Sequence, residues 1–355
     1  MESSDSNRRE EESVHVSKVK SYLHLIRPPF LVATSLSMIL GIAIAWVRTA
    51  EFDPYLAVIT ITAGVMIHAG TNVSNDYFDH LSGNDDVNKE FVAPYTGGSR
   101  MIQLGRVTPH EVLALSLSLL SVAIVLGAIL ASLKGYFILM LGAVGVFSGF
   151  CYAAPPIRLA SRGVGEPLVG LNFGVLLVQG AYYVQTESIM LEPIISSIPI
   201  AATITAVLWI NEFPDFAADK AVGKHTMVVR LGKKKGSRVY ISLVVSAYLW
   251  MTLTALGGLT APTSLVALST LPLAAFAIYS TRKLHNSPSK MGPPCGTTVA
   301  MHLLFVSSLV IGYVLLGFAA SPLFLMASSL LVTVLSSWIA LHFYREMKRA
   351  KSSGP

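Results

Sequence analysis

The sequence predicts an all-α polytopic protein that crosses a membrane many times. Of its 355 residues, 53% are hydrophobic and only 13% are charged, whereas a soluble domain carries about 25% charged residues. The mean hydropathy of the chain is +0.60, and nearly uncharged apolar runs recur from residue 30 to residue 343. Because lipid offers no hydrogen bonds to the backbone, apolar runs of about 18 residues or more are expected to fold as membrane helices.

Ten apolar runs are candidate membrane spans. They cover residues 30–47, 54–75, 111–132, 135–153, 165–184, 193–211, 238–258, 263–281, 298–318 and 322–343. The polar segment 1–21 is expected to be a disordered cytosolic tail, because a cleavable signal peptide would place an apolar core near the start. Residues 22–343 then form one membrane domain, and residues 344–355 form a basic cytosolic tail.

The basic residues predict the orientation of these spans. With the N-terminus in the cytosol, 24 of the 26 Lys and Arg residues lie in cytosolic segments, and only Arg48 and Lys134 lie outside. Basic residues accumulate on the cytoplasmic side of membrane proteins, so we expect a multi-pass protein of the cell inner (cytoplasmic) membrane in this orientation. The net charge of +6 follows from this bias. It does not indicate nucleic acid binding, because no basic stripe with interleaved aromatic residues accompanies it.

Two acidic segments begin where the second and sixth spans end. Their polar residues are Asn75, Asp76, Asp79, Asp85 and Asp86 in the first segment, and Asn211, Asp215 and Asp219 in the second. A spacing of four places side chains on one face of a helix, and the even number of intervening spans puts both segments on the same side of the membrane. A single run of this kind is typical of a solvated helix end. Two matched runs instead indicate carboxylates that share a cavity with a cation, and such oxygen ligands suit Mg²⁺ bound together with a diphosphate.

Basic residues near the same side are candidates for binding that diphosphate, because cations are needed where a leaving group gathers negative charge. They are Arg27, Arg100, Arg158, Lys224 and Arg230. Each is alternatively only a determinant of topology. Arg100, Arg158 and Lys224 are preferred, since each lies beside a Gly- or Pro-rich turn that constrains the backbone.

These motifs resemble those of the UbiA superfamily of intramembrane aromatic prenyltransferases, whose pattern is Asn-x3-Asp-x3-Asp after the second helix and a similar motif after the sixth. The matching positions are Asn75, Asp79, Asn211, Asp215 and Asp219. The first motif departs from the pattern, because Gly83 occupies its third position. We expect Asp85 to take that place.

The departure itself resembles the dihydroxynaphthoate branch of the superfamily, in which the sequence NDYFD is followed by a Gly-containing stretch and then Asp. Other segments that resemble this branch are RPP at Arg27, GGSR ending at Arg100, and residues 180–186 and 223–232. The resemblance covers roughly residues 22 to 318.

The resemblance implies a bundle of nine membrane helices around a central cavity, which leaves the tenth apolar run open as a further span. It implies Mg²⁺ as the cofactor, with these metal ligands: Asp76, Asp79, Asp85, Asp215 and Asp219. Asp79, Asp215 and Asp219 are also the expected catalytic residues, because the Mg²⁺ that they hold draws charge onto the diphosphate. Tyr152, at the end of the fourth span, is either a further catalytic residue that stabilises a carbocation through its ring or an interface aromatic.

Four amide side chains are the remaining candidates for substrate contact. The resemblance implies that Asn75 and Asn211 support metal or diphosphate contacts. Asn172 and Gln179 lie within the fifth span and are candidates for contact with the aromatic acceptor. Hydrogen bonding between helices is the alternative for these two.

The expected function is Mg²⁺-dependent transfer of a polyprenyl group from polyprenyl diphosphate to 1,4-dihydroxy-2-naphthoate in menaquinone synthesis. Alternative acceptors within the superfamily are 4-hydroxybenzoate, homogentisate, a porphyrin-derived ring and a glycerol-phosphate lipid. A cation-coupled transporter is an alternative of another class, because transporters also combine carboxylates with internal repeats. The expected partners are the two substrates and the lipid bilayer, and the sequence indicates no oligomeric state.

Overall fold

A computed structural model describes residues 18–50 and 52–352, and in these ranges every regular element is a helix. Residues 1–17, most of the expected N-terminal tail, lie outside the described residues. Residues 18–26 form helix α1. The helical part of the chain therefore begins before residue 22, where the sequence placed the start of the membrane domain.

Ten apolar helical segments correspond to the ten predicted spans. They are α2 (Pro28–Thr49), α3 (Pro54–Leu81), α5 (Pro109–Lys134), α6 (Tyr136–Phe150), the segment Gly165–Thr186, α9 (Leu191–Ala221), α11 (Lys233–Leu256), the segment Pro262–Leu284, α13 (Gly292–Gly317) and α14 (Pro322–Ser352). Within the described residues, nine of them are long and apolar enough to cross a membrane, whereas α6 has only 15 residues. The prediction of an all-α, multi-pass membrane protein is confirmed.

Two of these segments are composite, and two short helices connect spans. The segment Gly165–Thr186 consists of α7 (Gly165–Gly170), a π-helical turn (Leu171–Leu176) and α8 (Leu177–Thr186). The segment Pro262–Leu284 consists of a 3-10 helix (Pro262–Thr270) and α12 (Leu271–Leu284). The connecting helices are α4 (Asn84–Val87) and α10 (Met227–Leu231).

Local sequence explains where the long helices begin. The Asp53 side chain accepts hydrogen bonds from two backbone N–H groups of the first turn of α3, at 2.9 and 3.0 Å. Thr108 and Glu111 form a reciprocal capping box at the start of α5. Both helices have proline at their first position, where a helix needs no N–H donor.

The main core lies between α2, α8, α9, α11 and α13. Tyr182, Phe213 and Phe305 are among its fully enclosed side chains. α2 approaches α8 so closely at Gly41 that a Cβ atom there would lie 2.2 Å from the Val178 carbonyl oxygen. Glycine at this position therefore permits the contact, as small residues do between membrane helices.

α14 lies at the periphery of the bundle. Only 11% of its apolar window is buried, against 72% for α9, so most of its apolar surface is available to lipid. The helix continues to Ser352. Most of the segment that the sequence assigned to a C-terminal tail, residues 344–355, is therefore helical.

A polar layer lies at the end of the bundle where α2 and α5 end and α9 begins, opposite to the acidic C-terminal ends of α3 and α9. Arg48 donates two hydrogen bonds to Glu192, at 2.5 and 2.6 Å, and Lys134 donates one to Glu187 at 2.8 Å. Arg48 and Lys134 are the two basic residues that the sequence placed outside. Both lie at the end of the bundle away from the acidic motifs.

Candidate functional site

The C-terminal ends of α3 and α9 enclose, together with α4 and the loop that follows it, a pocket of about 220 Å³. We call it the polar pocket. Both acidic motifs line it, through Asn75, Asp79, Asp85, Asn211, Asp215 and Asp219. The structure thus brings two motifs that are four spans apart in the sequence into one cavity.

Asparagine side chains connect the two motifs. Asn84 Nδ2 donates to Asp219 Oδ1 at 3.1 Å, and Asn88 Nδ2 donates to Asp215 Oδ1 at 2.7 Å. Asn75 Nδ2 donates in the same way to Asp79 Oδ2 at 3.1 Å. The short helix α4 therefore ties the loop of the first motif to the carboxylates of the second.

Lys224 lies between the two motifs. Its Nζ atom is 3.2 and 3.4 Å from the two carboxylate oxygens of Asp79 and 3.7 Å from Asp219 Oδ1. Burial by itself lowers the pKa of Lys224, but the carboxylates of Asp79 and Asp219 outweigh it and hold that pKa well above its ordinary value. Lys224 is therefore a permanent cation in the polar pocket.

Arg27 is a second cation of the pocket, and Asp76 holds it. Arg27 lines the polar pocket and forms an ion pair with Asp76 Oδ1. The other carboxylate oxygen of Asp76 accepts the Ser99 backbone N–H at 3.1 Å. Asp76 itself does not line the pocket. The structure places this expected metal ligand behind Arg27, with both of its oxygens engaged.

α4 separates the two neighbouring acids of the first loop. Asp85 is buried and lines the polar pocket, whereas Asp86 is exposed. Burial, followed by the nearby charges of Asp79 and Asp76, raises the pKa of Asp85 to about 8. Arg100 Nη1 lies 3.9 Å from Asp85 Oδ1, but burial and the neighbouring acids outweigh the effect of this ion pair on the pKa. A further cation beside Asp85 would stabilise its ionised form.

The residues present fit a magnesium ion that is shared with a substrate. Within the described part of the chain, no three His, Cys, Asp or Glu side chains lie close enough together to hold a metal ion by themselves. Five buried oxygens of pocket-lining residues lack a hydrogen-bond donor there: Asn75 Oδ1, Asn84 Oδ1, Asn88 Oδ1, Asn211 Oδ1 and Glu212 Oε2. Buried acceptors without donors are costly. Mg²⁺ binds through one or two carboxylates and completes its coordination with water and phosphate oxygens. Its bound water molecules would donate hydrogen bonds to these five oxygens.

An apolar cavity of about 730 Å³ adjoins the polar pocket. Its walls come mainly from α3, α5, α6, the π-helical turn and α8. The residues that line both cavities are His68, Thr71, Val169 and Phe173. The site as a whole therefore suits a molecule with a highly charged head and a long apolar tail, and its apolar part lies within the size range of about 300–1,000 Å³ that is usual for ligand cavities.

The UbiA prenyltransferase family matches residues 35–295, well over half of the chain. The chain belongs to this family. As a UbiA-family protein it is an enzyme that transfers prenyl groups and an integral, multi-pass membrane protein. The alternative of a cation-coupled transporter is therefore discarded.

Relatives of known function and a solved structure agree with this assignment. The enzyme is 29% identical to "2-carboxy-1,4-naphthoquinone phytyltransferase" of Synechocystis sp., over 83% of this chain and 93% of that one. It is 26% identical to "1,4-dihydroxy-2-naphthoate octaprenyltransferase" of Bacillus subtilis, over 70% and 78% of the two chains. A UbiA homolog from Archaeoglobus fulgidus, bound to DMAPP and Mg²⁺, has the same fold with a TM-score of 0.53. It is 14% identical, and the match covers 82% of this chain and 99% of that one.

Three of the substrate-binding candidates do not reach either cavity of this UbiA-family enzyme. Arg158 and Arg230 are exposed, and Arg230 donates to the backbone carbonyls of His225 and Arg162, at 2.9 and 3.1 Å. Gln179 is buried, with Nε2 directed at the Ser188 carbonyl at 3.5 Å. These contacts support the loops at the two ends of the bundle.

Of two further candidates, Arg100 likewise lines neither cavity, whereas Asn172 lines the apolar one. The Arg100 guanidinium donates to the backbone carbonyls of Asp85 and Asn88 and lies 4.4 Å from the centre of the Phe91 ring, so it holds the loop of α4 in place. Asn172 lines the apolar cavity and donates to Ser148 Oγ at 2.8 Å.

Tyr152 lines the polar pocket of the enzyme, beside two acids that the sequence analysis did not select. Burial raises the pKa of its phenol above the ordinary value, so the ring stays neutral. Glu212 lines the same pocket, and the buried Glu166 carboxyl lies close to it. Glu166 also accepts the Met227 backbone N–H at 2.5 Å. Glu212 directly follows Asn211 in the second motif, and this position could have identified it as a residue of the pocket. No sequence pattern indicates Glu166.

Proposed function

We propose that this UbiA-family enzyme transfers a polyprenyl group from polyprenyl diphosphate to 1,4-dihydroxy-2-naphthoate, in menaquinone-type quinone synthesis and with Mg²⁺ as the cofactor. The observation that carries the proposal is the junction of a carboxylate- and cation-lined pocket with an apolar cavity of about 730 Å³. A polyprenyl diphosphate has the same two parts, joined by the bond that is broken.

The polar pocket is proposed to bind the diphosphate. Asp79, Asp85, Asp215 and Asp219 would hold Mg²⁺, which when bound supplies Lewis-acid charge to the diphosphate oxygens. Lys224 and Arg27 neutralise the charge that gathers on the leaving group, and a pre-positioned cation in a buried site is most effective at that task. The aromatic ring of Tyr152 is proposed to face the positive charge left on the allyl group.

The apolar cavity is proposed to bind the prenyl chain and to exclude water from the allylic carbon. Its walls carry few polar groups, so an allylic cation formed beside it meets the acceptor before it meets water. Asp76 and Arg100 take a supporting role in this proposal, because they position Arg27, Asp85 and Asn88.

The naphthoate acceptor is supported by the relatives. Both the Synechocystis and the Bacillus enzymes carry names that specify a carboxylated bicyclic naphthalene ring. The proposed orientation has the polar pocket facing the cytoplasm from the cell inner membrane. It is supported by Arg48 and Lys134, which lie at the opposite end of the bundle from the acidic motifs.

The test is product analysis with the purified enzyme in lipid nanodiscs. Polyprenyl diphosphates of several lengths are combined with 1,4-dihydroxy-2-naphthoate, 4-hydroxybenzoate, homogentisate, a porphyrin-derived ring or a glycerol-phosphate lipid, with Mg²⁺ or with EDTA. We expect Mg²⁺-dependent prenylation of the naphthoate. Turnover of another acceptor without turnover of the naphthoate would refute the acceptor assignment.

Variants connect the activity to the polar pocket. Asp215→Asn should abolish prenyl transfer, whereas Asp86→Asn, at an exposed acid in the same region, should retain it. Both variants are compared at equal amounts of folded protein. If Asp215→Asn retained full activity, the proposed position of the diphosphate would be wrong.

A further inference from the structure

The polar pocket has two levels. Its outer level contains Asp79, Asp215 and Lys224. Its inner level is formed by His68, Val169, Phe173, Ile204 and Val207, and the last four of these pack in one apolar cluster. Val207 and Asp215 are eight positions apart on α9, a rise of about 12 Å along the helix axis at about 1.5 Å per residue. The pocket therefore reaches well beyond the charged groups that would hold a diphosphate.

The inner level lies on the path between the two cavities. His68, Val169 and Phe173 line both the polar pocket and the apolar cavity. A prenyl diphosphate with its head at the outer level and its tail in the apolar cavity must pass through it. The attacking ring carbon has to approach the allylic carbon within about 3–3.5 Å, so the aromatic acceptor must also enter this level.

His68 is held in one orientation there. Its Nδ1 atom is 2.7 Å from Thr34 Oγ1, and its ring packs edge-to-face on Phe173, with the ring centres 4.6 Å apart. Thr34 is almost completely buried. Among the described residues, no hydrogen-bond partner of Nε2 is seen. When Nδ1–H donates to Thr34, Nε2 is an acceptor available to a ligand, because the bond at one ring nitrogen determines the role of the other.

We propose that His68 binds the aromatic acceptor: its Nε2 accepts a hydrogen bond from a ring hydroxyl of the acceptor, whose ring lies against Phe173. A hydroxyl buried among apolar side chains needs such a partner. A hydrogen bond from the hydroxyl to nitrogen also increases the electron density of the ring that attacks. The proposal adds no covalent step, and it rests on the proposed function, since it names the contact that selects a hydroxylated aromatic ring.

Other polar groups near the inner level are less suited to this role. Asn72 Nδ2 donates to the Ile26 backbone carbonyl at 3.3 Å, and Asn172 lies on the apolar cavity, bonded to Ser148. His68 combines a position at both cavities with an anchored ring.

The test is steady-state kinetics of His68→Ala, His68→Gln and Thr34→Val, with whichever hydroxylated aromatic acceptor the wild type prenylates. For His68→Ala we expect the KM of the acceptor to rise about tenfold, the value for one lost hydrogen bond of about 1.4 kcal/mol. The KM of the prenyl diphosphate should change less than about twofold on the same reasoning. His68→Gln, which retains an acceptor atom, should recover part of the loss, and Thr34→Val should show an intermediate rise.

A methylated ligand separates hydrogen bonding from packing. The wild type should bind the hydroxylated acceptor about tenfold more tightly than its methyl ether, measured by competitive inhibition, whereas His68→Ala should hardly discriminate. His302→Gln is the matched control, because His302 Nδ1 bonds Thr203 Oγ1 at 2.9 Å in the same way but lines neither cavity. It should leave both KM values unchanged.

The outcomes distinguish this proposal from the proposed function. An unchanged acceptor KM in both His68 variants, or an equal rise in the prenyl diphosphate KM, would overturn the role of His68 while leaving prenyl transfer intact. Turnover of a hydroxybenzoate in place of the naphthoate would refute the acceptor assignment, but the His68 test would proceed with that ring. If the wild type prenylated no hydroxylated aromatic ring, both proposals would fail.

Discussion

Lys224→Met is expected to destabilise the metal-free enzyme, because Lys224 is the cation between the two acidic motifs. Its Nζ lies 3.2 Å from Asp79 and 3.7 Å from Asp219, and the three side chains are 18%, 14% and 3% exposed. Removing one partner of a buried ion pair costs about 3–5 kcal/mol. Since Lys224 and Asp79 retain some contact with solvent, we expect a loss near the lower end, about 3 kcal/mol in the free energy of unfolding.

Mg²⁺ should restore stability to this variant. Once Lys224 is gone, a bound cation is the remaining group that neutralises Asp79 and Asp219, and a ligand at 100 times its Kd stabilises by about 2.7 kcal/mol. The assay is denaturant unfolding of the enzyme in mixed micelles, with EDTA or with saturating Mg²⁺. The gain from Mg²⁺ should be larger in Lys224→Met than in the wild type.

Lys134→Met is the matched control. Lys134 pairs with Glu187 at 2.8 Å, but the Glu187 side chain is 58% exposed, and exposed ion pairs contribute about 0–1 kcal/mol. This variant should lose little stability, and Mg²⁺ should not affect the loss. If the two variants were equally stable in EDTA, Lys224 would not have the electrostatic role assigned to it.

Three further outcomes concern the loop of α4 and are measured by Mg²⁺ titration of activity. A fourth concerns the stability of the metal-free protein and is measured by denaturant unfolding in EDTA at several pH values. Asp85→Asn should raise the half-saturating Mg²⁺ concentration about tenfold or more, as expected for a lost charged contact of about 1.5–3 kcal/mol, whereas Asp86→Asn should leave it unchanged; equal effects would contradict the burial of Asp85. Gly98→Ala should weaken Mg²⁺ binding more than Gly105→Ala. The backbone angle φ is similar at the two positions, +73° and +64°. Only at Gly98, however, would an added Cβ atom contact carboxylate oxygens, at 3.2 Å. Equal losses would mean that backbone strain alone acts. Mg²⁺ affinity should rise between pH 6 and pH 8 by up to about tenfold per unit, because Mg²⁺ must displace the proton of Asp85, whose pKa is raised to about 8. The same shift makes the metal-free protein less stable as the pH rises from about 4 towards 8, since the unfolded carboxyl ionises first. An affinity independent of pH would refute this assignment.

Sequence reasoning succeeded where one-dimensional spacing controls the outcome. The apolar runs located all ten helical segments, because lipid leaves the backbone no alternative to a helix. The spacing of Asn75 and Asp79, and of Asn211 and Asp215, placed each pair on one helix face that lines the polar pocket. These relations depend only on residues close together in the sequence, so the tertiary structure does not change them.

Sequence reasoning is less informative where the position of a side chain depends on a distant loop. Arg158 and Arg230 carry the right charge but are exposed, because charge places a residue on a side of the membrane and not in a cavity. Asp76 lies in the first acidic segment, yet its carboxylate forms an ion pair with Arg27 and accepts the Ser99 N–H. Helices also extend beyond the apolar runs, across the predicted tail boundaries at residues 22 and 344.

The sequence by itself determined that this protein is a helical membrane protein with paired acidic motifs, because hydropathy and short-range spacing express both properties directly. Prenyl transfer followed from the resemblance of those motifs to the UbiA superfamily. Only the tertiary structure decided which acids face the pocket. The contacts of Asn84 with Asp219 and of Asn88 with Asp215 join residues 135 and 127 positions apart, and no local pattern encodes such pairs. The junction of the polar pocket with the apolar cavity at His68 and Phe173 is also a property of packed helices, since it arises from side chains of separate spans that meet only in the folded chain.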